Sequence, residues 1–326
     1  MDGDVLVSVL MPMHNMKDWL RPCLDSLWAQ TEQRFEVVLV DNGSDDGSGQ
    51  LAEAISREHP QLRVFHQPNA GVSGARNAAM AQARGGLFFP VDADDWLEPD
   101  CLATLLRLME DTGAPVTACN HYIERQGRRE TCFPESGEVR LLDARQALEG
   151  VLYHQVPDVS CWGKLWDRRL FEGLRYPEGK LYEDTWLIAP LLLRAGRMAW
   201  TPKPGYHYRI RSDSISRSVW GPEKLDFIEA VEQLTGTAAE AFPDLEAGCV
   251  RRRCHARLSL LRYFVKCPAE WKEQKQRLVD EALALAPGVL RDPKAPRRDI
   301  LALRALQVGP WCYDLLWRLN ERRQGL

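Results

Sequence analysis

The stretch LFFPVDADDWLEP, residues 87–99, joins a short apolar run to the carboxylates of Asp92, Asp94 and Asp95. The apolar run is typical of a buried strand. Carboxylates this close repel one another unless a cation or hydrogen-bond donors stabilise them. On an extended chain Asp92 and Asp94 share one face and can hold a divalent cation. Alternatively, Asp94, Asp95 and Glu98 form a turn that caps the following helix. The stretch alone favours neither reading.

Three earlier apolar runs precede this stretch, and each is followed by a helical pattern. The predicted strands are DVLVSVLM, FEVVLVD, LRVFH and GLFFPVD. This alternation predicts an α/β fold of the Rossmann-like kind, with a mostly parallel central sheet and helices on both faces. Ligands bind such sheets beyond the carboxyl ends of the strands. The segments PMHN, DNGSDDGS and DADD stand at those ends, so we expect one acidic site there.

The alternation weakens after about residue 115, which suggests how the chain is organised. We predict an α/β domain over 1–220, with a first half of about 1–115 and a second half of about 116–220. Helical periodicity dominates beyond it, so 221–326 is predicted to be a helical C-terminal region.

Composition narrows the class of protein. Of the 326 residues 45% are hydrophobic and 27% charged, as in an ordinary globular enzyme. No apolar run reaches the roughly 18–20 residues of a membrane span, and the N-terminus lacks the basic segment of a secretory signal. Nine scattered cysteines indicate buried thiols in a reducing compartment. We therefore expect a cytoplasmic protein without a nucleic-acid partner.

The C-terminal segment differs in charge from the rest of the chain. Residues 290–326 carry eight basic and four acidic side chains, a net charge of +4, which leaves −8 for 1–289. Leucines and tryptophans alternate with arginines at near-helical spacing. A basic amphipathic helix can lie on the anionic inner face of a membrane. It can also pack on the catalytic domain or on a second subunit, and both readings stay open.

The chemistry of the acidic edge can be tested against two ligand classes. A dinucleotide site needs a glycine-rich turn after the first strand, but PMHN follows it here, and GVSGA lacks the full spacing. A nucleotide sugar suits the edge better. Its diphosphate would be repelled by bare carboxylates, but a divalent cation held by Asp oxygens reverses that sign.

The order of the motifs resembles that of the family 2 glycosyltransferases, which have the GT-A fold. VSVLMPMHN, QRFEVVLVDNGSDDGS, NAGVSGARNAAMAQARGGLFFPVDADDWLEP and YEDTWL follow one another over residues 5–220, most clearly over 35–100. CWGKLWDRRLFEGLRYPEGKLYEDTWL and GYHYRIRSDSIS resemble the bacterial capsular and cell-surface polysaccharide type. The resemblance implies inverting, metal-dependent transfer of a hexosyl or N-acetylhexosaminyl group. The donor would be a UDP-sugar, and the acceptor a hydroxyl of a cell-surface glycan or lipid-linked glycan.

The resemblance also implies which residues bind the nucleotide and the metal. Asp41 would contact uracil, Arg76 would hold the base and Asp92, and Asp94 would ligate Mn²⁺ or Mg²⁺. The full nucleotide-binding set is Pro12, His14, Asn15, Asp41, Arg76, Asp92 and Ala93. The family usually has Tyr where His14 stands, and His14 can stack on a base or hydrogen-bond to it.

Glu183 and Asp184 match the family's Glu-Asp pair, which implies that Asp184 is the catalytic base. A carboxylate at this step contributes on the order of 10²–10⁴-fold. The alternative is that both acids only favour the dipole at a helix N-terminus.

Six further side chains have a functional and a structural reading. Lys164, Arg209 and Arg211 would neutralise the diphosphate or hold the acceptor. Trp162 and Trp186 would stack on sugar rings or belong to the core. His207 would be a metal ligand or a packed histidine.

Two rival functions remain from the sequence. A sugar-1-phosphate nucleotidyltransferase would also use Asp-bound metal, but it needs a Gly- and Arg-rich loop where PMHN stands. A non-catalytic binding or scaffold subunit would keep the fold but not all of Asp92, Asp94 and Asp184. The donated sugar, the acceptor, the linkage and the oligomeric state are not specified by these motifs.

Overall fold

The computed structural model describes residues 6–125, 127–135, 137–211, 220–266 and 271–324. The chain divides into two compact units: Met1–Ala147 with Val159–Ser214, and Leu148–Asp158 with Ile215–Leu326. The structure therefore assigns a short segment, 148–158, to the second unit, although it lies far inside the predicted first domain. The boundary expected at residue 220 stays a prediction.

The first unit contains the sheet of ten described strands. They are β1 Val7–Met13, β2 Phe35–Asn42, β3 Leu62–Gln67, β4 Leu87–Pro90, β5 Trp96–Leu97, β6 Val116–Arg125, β7 Arg128–Thr131, β8 Arg140–Asp143, β9 Lys164–Asp167 and β10 Arg197–Arg209. The order is β3-β2-β1-β4-β9-β6-β10-β5, with β7 beside β6 and β8 beside β10. The expected α/β fold class is confirmed.

The sheet is parallel where the strand–helix alternation predicts it and mixed beyond that point. β1 pairs in parallel with β2 and β4, β2 with β3, and β6 with β10. β9 lies antiparallel between β4 and β6. Every residue of β2 is buried. Strands covered on both faces read as continuous apolar runs, which explains FEVVLV.

Six helices begin in the first unit: α1 Lys17–Trp28, α2 Ser48–Ser56, α3 Gly71–Gln82, α4 Cys101–Thr112, α5 Ala144–Tyr153 and α6 Glu183–Ala195. α1 shows why such sequences form packed helices. Its buried residues Leu20, Cys23, Leu24 and Leu27 recur at three- and four-residue spacing and form one apolar stripe. α3 is built from small residues, which allows it to lie close against β1 and β2.

The second unit contains α7 Asp226–Ala241, α8 Glu246–Leu261, α9 Lys272–Arg291, α10 Arg297–Val308 and α11 Pro310–Gln324. It has its own core, to which α8, α9 and α10 contribute Leu258, Leu261, Leu278, Ala282, Leu303 and Leu306. No described helix combines the length and apolar character needed to cross a bilayer.

The topology positions the polar loops side by side. β2, β1 and β4 are neighbours, so the loops after Asn42, Met13 and Pro90 leave the same edge of the sheet. β10 pairs antiparallel with β5, which sets Tyr206 opposite Leu97 and His207 opposite Trp96. This pairing brings the C-terminal end of β10 to the Asp92–Asp95 turn.

Candidate active site

Arg76 is the centre of the site. It lies on α3 with only 3% of its surface exposed. Its Nη2 donates to Asp92 Oδ1 at 2.9 Å, and its Nη1 donates to Asp184 Oδ1 at 3.0 Å and to a Glu183 carboxylate oxygen. The Tyr176 ring lies 5.5 Å from the guanidinium carbon. One buried cation therefore joins the carboxylates of two motifs that are far apart in sequence.

The three aspartates of the DADD segment occupy different environments. The Asp92 and Asp94 side chains are 30% and 18% exposed, whereas Asp95 is 1% exposed. Asp95 accepts hydrogen bonds from the Tyr206 hydroxyl at 2.7 Å and from the Arg209 backbone N–H at 2.8 Å. Asp95 thus links β10 to the turn by hydrogen bonds, whereas the side chains of Asp92 and Asp94 remain partly exposed.

Asp94 is the carboxylate that we consider first as a ligand for a cation. Burial, and then the charge of Asp92, raise its pKa to about 6. Its Oδ2 lies 3.2 Å from Arg211 Nη1. Among the described residues no other side chain donates to its second oxygen, and the same is true of Asp92. Two such oxygens fit Mg²⁺ or Mn²⁺, which take their other ligands from phosphate and water.

A complete protein-only metal centre is not present in the part of the chain that the structure describes. No group of three or more His, Cys, Asp or Glu side chains is placed to bind an ion there. Cys249 and Cys254, which stand near His255 in sequence, are buried in the core of the second unit. A cation at Asp94 would therefore need ligands from a bound substrate.

Glu183 and Asp184 are the first two residues of α6. The preceding residue, Tyr182, has a left-handed φ of 60°, which turns the chain into the helix. Asp184 Oδ2 accepts from the Cys161 N–H at 3.0 Å. Burial raises the pKa of Glu183, although Arg76 opposes that shift. Both acids stand in a first turn, as the dipole reading expects, but both also contact Arg76 in the site.

Asp41 lies at the end of β2 in a cleft of about 540 Å³. Its Oδ1 accepts from the Ser44 N–H, and its Oδ2 lies 2.9 Å from His66 Nδ1. The second nitrogen of His66 lies 3.0 Å from Glu53 Oε1. A Cβ at Gly49 would collide with the Asp41 carboxylate, so only glycine lets α2 approach this closely.

The loop after β1 is braced against the loop after β2. His14 Nδ1 lies 3.1 Å from the Asn42 carbonyl oxygen. Asn15 has a left-handed φ of 54° and exchanges two 2.9 Å hydrogen bonds with Asp45. Pro12 pairs with Val40 inside the sheet, and Ala93 is buried in the turn after β4. The sequence-predicted nucleotide residues thus lie on adjoining loops.

Arg209 and Arg211 lie beside the Asp94 carboxylate. Arg209 is held between the rings of Trp19 and Trp96, each 4.4 Å away, and its Nε donates to the Asp94 carbonyl oxygen at 2.8 Å. Arg211 also contacts the Met16 sulfur. The two guanidinium groups place positive charge next to the position expected for the diphosphate.

The remaining candidates are more enclosed. His207 is 1% exposed, and its two nitrogens lie 2.9 Å from Glu124 and 3.0 Å from Glu98. It would have to leave one of these carboxylates to bind a metal. Lys164 is buried, and its ammonium donates to the carbonyl and hydroxyl oxygens of Ser160.

The two tryptophans also have protein partners. Trp162 stacks on Tyr206 and Tyr208, with ring centroids 4.6 and 5.1 Å apart. Trp186 is half-buried and donates its indole N–H to the Leu181 carbonyl. The rest of the GYHYRIRSDSIS motif, over 212–216, lies outside the described residues.

Three residues of the site carry no sequence signal of their own. They are Tyr206, which binds both Asp95 and the Asp92 N–H; His66, which binds Asp41; and Cys161, whose backbone binds Asp184. Each acts through a contact with a distant segment. Only the strand pairing of β5 with β10 and of β2 with β3 brings the first two into place.

Comparison with known proteins assigns the sequence of this chain to a family. The sequence profile described as glycosyl transferase family 2 matches residues 8–175, about half of the chain. Glycosyltransferase GlyA of Streptococcus pneumoniae is 34% identical over 67% of this chain and 32% of its own length. Succinoglycan biosynthesis protein ExoO of Rhizobium meliloti is 31% identical over 89% of this chain and 83% of its own. The chain spans 32%, 62% and 64% of the first three curated relatives that it matches.

Solved structures share the fold. TarS of Staphylococcus aureus, residues 1–349 in complex with UDP-GlcNAc, has a TM-score of 0.70 at 21% identity, over 98% of this chain and 92% of that one. A mannosyltransferase of Pyrobaculum calidifontis, in complex with GDP-Man and Mn²⁺, has a TM-score of 0.53 at 17% identity, over 96% and 88%. At these identities the likeness concerns the fold.

Proposed function

The chain belongs to glycosyl transferase family 2, and from that premise we propose that it is an inverting, metal-dependent glycosyltransferase. It would move a sugar from a UDP-sugar to a hydroxyl of a cell-surface glycan or a lipid-linked acceptor. The observation that carries the proposal is the set of Arg76 contacts. Through them the carboxylate expected near the ribose and the carboxylate expected to act as base meet at one guanidinium.

The donor would bind across the loops after β1, β2 and β4. Asp41, already oriented by Ser44 and His66, offers a carboxylate to the edge of the base. The imidazole ring of His14, on the loop after β1, could stack on the base or hydrogen-bond to it. UDP-GlcNAc in the TarS complex supports a uridine donor, and GDP-Man in the mannosyltransferase complex supports nucleotide sugars more broadly.

Asp94, with Asp92, would hold Mn²⁺ or Mg²⁺ against the diphosphate. When bound, such a cation neutralises the charge that develops on the leaving nucleotide. Mn²⁺ in the mannosyltransferase complex supports this assignment. Arg209 and Arg211 would add fixed positive charge on the same side, which stabilises the leaving group without reorganisation.

Asp184 would accept the proton of the attacking hydroxyl. Arg76 on one oxygen and the Cys161 N–H on the other fix its orientation. A base on the side opposite the nucleotide directs attack from that side, so the configuration at the anomeric carbon inverts. Glu183 would support the same Arg76 geometry.

The acceptor proposal includes a membrane surface. α11 exposes Trp311 (65%), Leu315 (51%) and Leu319 (50%), which follow at four-residue spacing and share one helix face. An apolar face on a basic segment suits the interface of an anionic membrane. The enzyme would then lie on the same membrane surface that holds a lipid-linked acceptor.

The proposal is tested by thermal stability in the presence of nucleotide sugars, with and without Mn²⁺. We expect UDP-sugars with Mn²⁺ to raise the Tm more than either alone, because a ligand of the native state stabilises it by mass action. Asp94→Asn should lose the Mn²⁺-dependent part. Asp111→Asn, which changes an exposed carboxylate on α4, is the control and should behave like the wild type.

The same measurement has a pH dependence. A proton competes with the cation for Asp94, whose pKa is about 6. The Mn²⁺-dependent rise should therefore decline as pH falls through about 6. An undiminished Mn²⁺ effect in Asp94→Asn would contradict the metal assignment, and a response confined to sugar phosphates would contradict the transferase proposal.

A further inference from the structure

Arg252 on α8 is a buried cation without a counterion. It is 2% exposed, and neither its Nε nor its Nη1 has a hydrogen-bond partner. No ion pair to Arg252 exists among the residues that the structure describes. A buried, unpaired guanidinium costs several kcal/mol, so such groups are normally paired or bound to an anion.

The nearby carboxylate is already committed to other groups. Asp299 accepts from Arg251 Nε at 2.7 Å on one oxygen, and its other oxygen lies 3.0 Å from His255 Nδ1. Arg298 approaches the second oxygen at 3.6 Å. Two arginines and a histidine therefore share one carboxylate, and the cluster, which also contains Arg252, keeps excess positive charge.

The lowered pKa values of two basic groups in the cluster agree with its excess of positive charge. Burial, followed by the charges of Arg251 and Arg298, lowers the pKa of Arg252 to about 9. Burial, and then Arg252 as the strongest neighbouring charge, hold the pKa of His154 far below its ordinary value. Arg252 stays a cation at neutral pH, whereas His154 stays neutral.

The neutral His154 orients the Arg298 guanidinium. Arg298 Nη2 donates to its Nδ1 at 2.7 Å. Because an arginine cannot accept, this contact requires the tautomer with the proton on Nε2. The His154 ring packs edge-on against His255, with centroids 4.3 Å apart, one helical turn from Arg252. Among the described residues the Nε2–H has no hydrogen-bond partner.

We propose that Arg252 and Arg298, with His154 orienting the Arg298 guanidinium, form a binding site for a phosphate group in the second unit. A guanidinium fork matches the oxygens of a phosphate, and both arginines supply charge-assisted donors. The Arg298 side chain is 59% exposed, which gives a solute access from that side. Arg297 and Arg298 stand in the first turn of α10, where the helix dipole disfavours cations and favours an anion.

The site is tested on the full chain with inorganic phosphate as the probe. The Tm is measured in sodium phosphate and in sodium chloride at equal ionic strength. We expect a saturable, phosphate-specific rise for the wild type and none for Arg252→Met. In chloride, the Tm of Arg252→Met should equal or exceed that of the wild type, because an unpaired buried charge has been removed.

Two further variants provide a control and a second test of the site. Arg304→Met removes an exposed charge from α10 and should keep the full phosphate response. Arg298→Ala removes an exposed member of the site, so folding is preserved, and phosphate affinity should fall roughly tenfold or more. A wild type without a phosphate-specific rise would overturn the proposal. An Arg252→Met response equal to the wild type would do the same.

Vesicles distinguish a lipid headgroup from free phosphate. Flotation is compared between phosphatidylcholine vesicles with and without phosphatidate. If phosphatidate binding requires Arg252 and inorganic phosphate competes with it, the ligand is a lipid headgroup. If the phosphate-dependent Tm rise requires Arg252 but flotation does not, the ligand is a soluble phosphate. Neither measurement uses sugar transfer, so its outcome is independent of the proposed activity.

Discussion

At the scale of single residues, the burial of a carboxylate and the partners of its oxygens decide what it can do. Asp95 is enclosed and has both oxygens hydrogen-bonded, so it serves the backbone. The Asp94 side chain is 18% exposed and has a raised pKa, so it suits a cation. The Asp184 carboxylate is 17% exposed, and Arg76 and the Cys161 N–H fix its orientation, so it suits proton acceptance from a bound substrate.

The assignment of Asp184 as base predicts that two variants lose transfer activity to different extents. Asp184→Asn keeps the shape of the side chain but cannot accept the proton. It should keep UDP-sugar stabilisation and lose transfer by on the order of 10²–10⁴-fold. Glu183→Gln, which changes a second carboxylate bound to Arg76, should lose less. Transfer is followed by release of UDP with acceptor present.

Two results would count against that assignment. If Asp184→Asn also loses UDP-sugar binding, Asp184 has a structural or donor-binding role. If Glu183→Gln abolishes transfer while Asp184→Asn retains it, Glu183 is the base.

At the scale of elements, α10 and α11 differ in how they use their apolar residues. α10 buries Leu303 and Leu306 in the core of the second unit. α11 buries Tyr313 but exposes Trp311, Leu315 and Leu319. A cut before α10 would therefore damage the core, whereas point changes on α11 leave it intact.

The exposed face of α11 predicts vesicle binding. Changing both Leu315 and Leu319 to Gln should weaken binding to vesicles that contain phosphatidylglycerol, because each buried leucine contributes about 1.5–3 kcal/mol. Cosedimentation measures it. Leu141→Gln, which alters an equally exposed leucine on β8, is the control. Wild-type binding by the double variant would favour packing of α11 against a second subunit.

At the scale of the whole molecule, each compact unit has its own core, and the second takes its chain from two places. Segment 148–158 buries Val151, Leu152 and Tyr153. Arg251 donates to the Leu152 carbonyl at 2.6 Å, and the Tyr153 hydroxyl donates to Asp292 at 2.7 Å. These partners all lie beyond residue 220.

This division predicts that a chain ending at residue 220 does not fold stably. It would leave 148–158 without the core and the hydrogen-bond partners named above. We expect aggregation, or binding of a dye that reports exposed apolar surface. Co-expression with 221–326 is the control and should restore solubility. A soluble, protease-resistant 1–220 fragment would contradict the expectation.

The sequence by itself determined the local features of this protein. Apolar strands alternating with amphipathic helices predicted β1 to β4 and their parallel order, because periodicity depends only on neighbouring residues. The motif order also indicated the family, and the family indicated candidates such as Asp41, Asp94 and Asp184. Each single motif is contained within a few residues of chain, and only the order of the motifs extends over residues 5–220.

Only the tertiary structure decided which of these features meet. Arg76 contacts carboxylates 16, 107 and 108 residues away. β9, a four-residue strand, lies antiparallel between β4 and β6, and 148–158 belongs to the second unit. Short patterns do not encode their partners, since pairing depends on the burial and hydrogen bonding of the complete chain. The uncompensated charge of Arg252 has the same origin: it stands between Arg251 and Arg253 in sequence, and only packing removes it from water.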